Sequence, residues 1–132
     1  MGISEEKVAL RTRYRQERNA RYIEHSFEHL AEIPEIQNAK VIASYLSYGD
    51  EPSTEDLNRK ILELGKVLLL PRISGKDLEW VQWSGDQTVL VEKRKIFEPK
   101  GEVFTQLEKV EVIIVPALRI DRNGFRLGQG GG

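Results

Sequence analysis

Residues 121–132 read DRNGFRLGQGGG, with Gly128, Gly130, Gly131 and Gly132 close together. Glycine has no Cβ, so backbone N–H groups in such a stretch can approach phosphate oxygens closely. Arg126 adds a planar donor suited to bidentate contact with a phosphate. The chemistry this points to is binding of a polyphosphate. No Lys-Ser/Thr pair accompanies the glycines, so the stretch is not a Walker motif, and the spacing is not the GxGxxG of dinucleotide folds. By composition alone a flexible glycine-rich tail fits equally well. Lys7 and Arg11 stand four apart, two positive charges on one helix face, where a solvated surface is the ordinary outcome. Glu51 and Arg72 are isolated charges beside apolar runs; the first also suits a turn and the second a surface ion pair. His25 and His29 have a spacing that can hold zinc, but no third ligand lies near them. Trp80 and Trp83 can stack on a ligand, although an alternating strand places one of them in a core.

The elements that must position these groups follow from periodicity. Ser4 to about Glu32 reads as helix, with Ser4 as cap and Glu5 and Glu6 at the positive end of the dipole. Leu10 and Tyr14 form one stripe and Ile23, Phe27 and Leu30 another; the two are out of step across residues 17–20, so a kink or two helices are expected before Pro34 ends the region. Residues 40–47 (KVIASYLS) read as a buried strand and 50–53 as a turn. Ser53 is expected to cap a second helix, with Asp56 as its partner, Leu57, Ile61 and Leu64 facing inward and Gly65 ending it. Residues 67–73 (VLLLPRI), closed by Pro71, and 112–118 (VIIVPAL) read as two more buried strands. Residues 78–83 alternate as a half-exposed strand, and 89–98 are ambiguous. Apolar strands alternating with amphipathic helices predict an α/β fold of three layers, α/β/α, with a mainly parallel sheet. Ligands of such sheets sit at the strands' carboxyl ends. Glu51, Arg72 and residues 121–132 all follow strand ends.

The 132 residues suit one domain; Lys and Arg total 20 against 21 Asp and Glu, a net charge of -1. That balance argues against nucleic acid or an anionic membrane as main partner and leaves room for a small anion. With no cysteine, disulfides, thiolate metal sites and thiol nucleophiles are excluded, in keeping with a cytoplasmic address. The first ten residues lack the apolar core of a signal peptide, and no apolar run is long enough to span a membrane.

Several segments, in order, resemble the 5-formyltetrahydrofolate cyclo-ligase (5,10-methenyltetrahydrofolate synthetase) family. Lys7, Leu10 and Arg11 match its opening Lys-x-x-Leu-Arg. Tyr45, Ser47, Glu51 and Thr54 match a strand ending in Tyr-x-Ser, then an acid and a Thr opening a helix. Gly65, Lys66, Pro71 and Arg72 frame the next strand, and Ile96, Glu98 and Pro99 match Ile-x-Glu-Pro. Val115, Pro116, Asp121, Gly124, Arg126, Leu127, Gly128, Gly130 and Gly132 match the most specific block, Val-Pro, Asp, Gly and Arg-Leu-Gly-x-Gly-x-Gly. Pro52, Lys95, Ala117 and Arg119 depart from it without removing a charged group the family uses. The family continues with Tyr-Tyr-Asp, a helix and further strands, and that Asp belongs to its magnesium site. The resemblance thus predicts one cyclo-ligase-like domain over residues 1–132, incomplete at its C-terminus.

The resemblance implies ATP- and magnesium-dependent closure of 5-formyltetrahydrofolate to 5,10-methenyltetrahydrofolate, with ADP and phosphate released, by a protein that is monomeric at full length. It gives Lys7 and Arg11 to the ATP phosphates, and Arg126, Leu127, Gly128, Gln129, Gly130, Gly131 and Gly132 to a wrap around the polyphosphate, with Arg126 catalytic. Glu51 is expected to bind the pterin, Leu46 to line the folate pocket and Gln129 to sit between the two ligands. No metal ligand is assigned within the chain. A fragment that binds nucleotide or folate without turnover is the alternative. For the 132 residues alone, weak ATP binding, little activity and ready self-association or unfolding are expected, because a free glycine-rich end loses much freedom on closing.

Overall fold

A computed structural model describes residues 3–20, 27–48, 53–93, 96–116, 119–120, 122–123 and 126–127. The chain divides into two compact units: Met1–Glu24 with Pro116–Gly132, and His25–Val115.

In the first unit, α1 (Ile3–Ala20) opens with Glu5 and Glu6 in its first turn, which suits the N-terminal end of the dipole. Ser4 lies inside that turn instead of capping it. Arg13 pairs with Glu17 one turn on, 3.2 Å between Nε and Oε1, and its guanidinium lies over the Tyr14 ring. Across residues 17–20, where the two stripes fall out of step, the chain stays helical to Ala20; residues 21–26 lie outside those described.

The second unit holds the main core. A 3-10 turn over Glu28–Glu32 replaces the α-helix expected there, although Phe27 and Leu30 still pack against the core as their spacing predicts. Pro34 opens a short helix, α2 (Pro34–Asn38), at a first-turn position, where its missing N–H has no partner to lose. The remaining elements are β1 (Val41–Ala43), α3 (Glu55–Glu63), β2 (Val67–Ser74), β3 (Asp77–Gln82), the hairpin of β4 (Leu90–Lys93) and β5 (Ile96–Pro99), and β6 (Val112–Ile113). The sheet runs β3-β2-β1-β6. Here β1, β2 and β6 are parallel and β3 is antiparallel to β2, so the fold is α/β with a mainly parallel sheet.

Alternation along the strands divides their side chains between two clusters. Ile42, Leu68 and Leu70 join Ala31, Ile36, Leu57, Ile61 and Trp83 beneath the helices. Val41, Ala43 and Leu69 face the other way, against Val67, Trp80, Phe104 and Val110. Trp83 is therefore a core group and Trp80 packs half-buried against the second cluster; the Trp83 indole donates to the Asp86 carbonyl at 2.8 Å. Asp86 also accepts from the hydroxyl and N–H of Thr88; chiefly the hydroxyl bond, then the N–H bond, holds its carboxyl below the usual range.

Three elements differ from expectation for identifiable reasons. The strand at residues 67–73 runs through Pro71 to Ser74. The last bond to β1 is Ser44 N–H to the Leu69 carbonyl, so a proline two residues on lies where the β1 side is already an edge. Of the run expected at 112–118, the described residues 112–116 are half exposed, with Ile113 and Val115 turned outward, because β6 pairs only with β1 among the described residues. In α3, Leu57 and Ile61 are buried but Leu64 is exposed. The helix ends there, and Gly65 takes a φ of +76°, the left-handed conformation that glycine tolerates best.

Candidate functional site

The first unit carries the residues suited to phosphate. Lys7 is exposed on α1 and Arg11, one turn on, is half-buried. Within the glycine-rich stretch, Arg126 and Leu127 form a strand. Strand β8 (Arg126–Leu127) pairs antiparallel with β7 (Arg119–Ile120), Ile120 opposite Arg126 and Arg119 opposite Leu127. A two-stranded ladder thus sets the backbone of Arg126 and Leu127. Helix α1 and this hairpin fall within one compact unit, although they stand at opposite ends of the sequence. Gly128, Gln129, Gly130, Gly131 and Gly132 lie outside the described residues.

The second unit carries the residues suited to substrate. Leu46 is half-buried and packs against the cluster beneath the helices. Glu51 lies outside the described residues; the residues on both sides of its segment are described. On one side the chain leaves β1 through Ser44, Tyr45, Leu46 and Ser47. On the other it enters α3 at Thr54, the N-cap position, one residue later than expected; the Ser53 hydroxyl instead accepts from the Glu55 N–H at 3.3 Å. Ser47 and Thr54 bond reciprocally: Ser47 N–H donates to Thr54 Oγ1 at 3.2 Å, and Thr54 N–H donates to Ser47 Oγ at 3.1 Å. The Thr54 hydroxyl also donates to the Tyr45 carbonyl at 2.7 Å. Asn58, one turn along α3, donates to the same carbonyl at 3.0 Å and accepts from the Ser44 hydroxyl at 2.7 Å. Ser44, Thr54 and Asn58 are all buried; the Ser44–Asn58 bond is made away from water, where an unmade one is costly, and the others are partly buried.

Tyr45, Ser47 and Thr54 belong to the segment that resembles the family, but the reading of the sequence assigned Ser44 and Asn58 nothing. The available signal was Thr54 and Asn58 standing four apart beside the inner stripe of Leu57 and Ile61, an inward-facing position for a polar side chain.

Arg72 belongs elsewhere. Its Nε lies 3.2 Å from Glu79 Oε1, its cross-strand neighbour, and its Nη1 donates to the carbonyls of Pro99 at 3.2 Å and Gly101 at 2.9 Å. Nearby, the buried Glu98 accepts from the Ile73 N–H at 2.7 Å and lies 3.5 Å from Lys93. Together they fasten the β4–β5 hairpin and its exit to β2. Arg72→Met is accordingly expected to lower unfolding free energy by about 2 kcal/mol, since two carbonyls and a carboxylate lose a charged donor. Arg72→Lys should recover only part, because a point charge cannot serve three acceptors in different directions. Chemical denaturation measures both; a variant of unchanged stability but weakened ligand binding would return Arg72 to the site.

Among the described residues no group of three or more His, Cys, Asp or Glu is placed to hold a metal ion. No described helix is long and apolar enough to cross a membrane.

Comparison with known proteins agrees on one family. The model of the 5-formyltetrahydrofolate cyclo-ligase family matches residues 3–132. The 5-formyltetrahydrofolate cyclo-ligase of Escherichia coli (strain K12) is 31% identical over 104 residues, covering 75% of this chain and 57% of that protein. The Mus musculus protein of the same name is 31% identical over 107 residues, covering 74% and 53%. The chain thus spans about half the length of these relatives. The NMR structure of Aquifex aeolicus 5,10-methenyltetrahydrofolate synthetase superposes with a TM-score of 0.74 at 27% identity, over 96% of this chain and 68% of that one.

Proposed function

The chain belongs to the 5-formyltetrahydrofolate cyclo-ligase family, and from that premise we propose that the whole protein closes 5-formyltetrahydrofolate to 5,10-methenyltetrahydrofolate at the expense of ATP, releasing ADP and phosphate. The formyl oxygen attacks the γ-phosphate, the neighbouring ring nitrogen captures the activated carbon, and phosphate departs. In phosphoryl transfer the protein's task is chiefly to align the reactants and stabilise charge. The observation that carries the assignment is the family match over residues 3–132; α1 and the β7–β8 hairpin, the elements of Lys7, Arg11, Arg126 and Leu127, belong to one compact unit.

In this reading Lys7, Arg11 and Arg126 neutralise the polyphosphate, and the backbone of residues 127–132 supplies N–H donors around it. Leu46 lines the folate pocket, Glu51 accepts from the pterin N–H edge, and Gln129 lies between the ligands. Mg2+ keeps most of its waters and binds through phosphate oxygens with few carboxylates; its proposed place is with the nucleotide. A cytoplasmic monomer, working as one domain, completes the proposal.

The reaction is tested by the absorbance of the methenyl product, which should rise only with Mg-ATP and in step with ADP. Product formed equally well without ATP would sink the assignment. Glu51→Gln turns one acceptor partly into a donor. It should weaken 5-formyltetrahydrofolate binding by roughly ten- to a hundredfold, the worth of one charged hydrogen bond, and leave ATP binding nearly unchanged. Calorimetry showing unaltered folate affinity would take Glu51 out of the site.

A further inference from the structure

Thr54 does not play the part its place in the chain predicts. It stands at the N-cap position of α3, where a threonine hydroxyl ordinarily accepts from an N–H of the first turn and stabilises the helix. Its side chain makes no such bond. The hydroxyl turns back to the exit of β1 instead: Oγ1 donates to the Tyr45 carbonyl at 2.7 Å and accepts from the Ser47 N–H at 3.2 Å. Those two groups belong to the two planar peptide units that flank Leu46, so one oxygen sets the backbone on both sides of that residue. Asn58 adds a second donor to the Tyr45 carbonyl at 3.0 Å, and the Ser44 hydroxyl, donating to Asn58 Oδ1 at 2.7 Å, orients it. Thr54 and Asn58 are each 2% exposed, so what they offer a ligand is indirect. Apolar groups of the same shape would fill the space at little cost; what the bonds add is direction, because each requires one arrangement of its partners. Leu46 lies half-buried against the cluster beneath the helices. It follows a parallel strand at its carboxyl end, the edge where ligands of such sheets sit.

We propose that Thr54 is a positioning residue that acts through Leu46: by holding the peptide units on both sides of Leu46, its hydroxyl fixes one apolar wall of the folate pocket before the ligand arrives. The proposal rests on the reading of Leu46 given above and on no other residue of that site. Its physical basis is that a wall held in place before binding loses less freedom when the ligand packs against it. Asn58 supports the same carbonyl, and Ser44 holds Asn58 in place.

The test uses the whole protein. Thr54→Val keeps the shape and removes the hydroxyl. Calorimetric titration with 5-formyltetrahydrofolate should show affinity reduced roughly tenfold, with ATP affinity unchanged. Thr54→Ser, which retains the hydroxyl, should keep folate affinity near the parent value. Leu46→Ala, which removes the wall, should itself lower folate affinity roughly tenfold. The decisive comparison places Thr54→Val in that Leu46→Ala background. If Thr54 acts through Leu46, its substitution there changes folate affinity little. The same loss in both backgrounds, or an equal loss of folate and ATP affinity, overturns the proposal. Should Thr54→Val fail to fold, Asn58→Leu together with Ser44→Ala removes the second donor to the Tyr45 carbonyl without leaving either partner unpaired, and carries the same test. Folate affinity lowered by Leu46→Ala but not by the substitutions behind it overturns this inference and leaves the proposed function standing. Folate affinity indifferent to Leu46→Ala takes Leu46 out of the pocket and the inference with it, whereas methenyl product formed without ATP sinks the proposed reaction itself.

Discussion

Arg126→Ala is expected to lower turnover of 5-formyltetrahydrofolate at saturating ATP by roughly a hundred- to a thousandfold, the usual cost of losing one preorganised donor to developing charge. The γ-phosphoryl group carries its charge on oxygens that change partners during transfer, so a cation beside them matters more in the transition state than in the ground state. Arg126 is suited to that task because its backbone is held opposite Ile120 in a paired strand, directly before the glycines. Arg126→Lys should restore only a small part, since an ammonium lacks the planar fork. Steady-state kinetics on the whole protein separate the cases. A fall in kcat supports the role; a raised KM for ATP with kcat intact would make Arg126 a ground-state binder only.

The second large effect concerns the core. Leu68 is fully buried in β2, among Ile42, Leu57, Ile61 and Trp83. Leu68→Ala removes that packing and leaves a cavity that helix and sheet cannot both close, at a cost of about 3 kcal/mol. Against a typical domain stability of roughly 5–15 kcal/mol, that is a large share. Ile73→Ala, later on the same strand but 47% exposed, should cost well under half as much, about 1 kcal/mol. Urea unfolding of the two variants side by side tests the assignment. Equal losses would mean that the buried face of β2 has been misidentified.

The contrast between Leu68 and Ile73 marks how far periodicity reaches. The run from Val67 to Ile73 announces a strand, and Leu57 and Ile61 announce the inner face of α3. Nothing in the run says that only residues 68–70 lie deep in the sheet, because depth is set by how far the neighbouring strand extends. Strand β1 stops at Ala43 although the apolar run continues to Leu46, since the chain leaves the ladder to reach α3. Val112 and Ile113 read as a buried strand and form an edge among the described residues for the same reason: a continuous apolar run specifies neither how many neighbours it has nor on which side.

At the candidate site the limit was pairing. Arg72 beside a strand's exit is compatible with an anionic ligand until the β2–β3 register sets it against Glu79. A register is a relation between two segments that neither contains alone. Lys7, Arg11 and Arg126 became a set only through the ordered family pattern, which no single segment announces. The Ser47–Thr54 pair lay inside a quoted motif, yet its reciprocal bonding emerges only when the two flanks face each other.

The parallel arrangement of β1, β2 and β6 also orders events as the chain folds. Where β2 begins, Lys66 Nζ donates to the Ala39 carbonyl across a sequence separation of 27 residues. Where β6 begins, the Lys40 N–H donates to Glu111 across 71. Closing the longer loop costs roughly 0.9 kcal/mol more chain entropy, and the strand it delivers is only two residues long, Val112–Ile113. Little is gained on arrival to offset that loss, so β6 is the late-docking strand and β1 with the β2–β3 hairpin the early nucleus. Amide hydrogens at Val112 and Ile114 should therefore exchange well before those of Leu68 to Leu70, with the sheet opening from its β6 side inward.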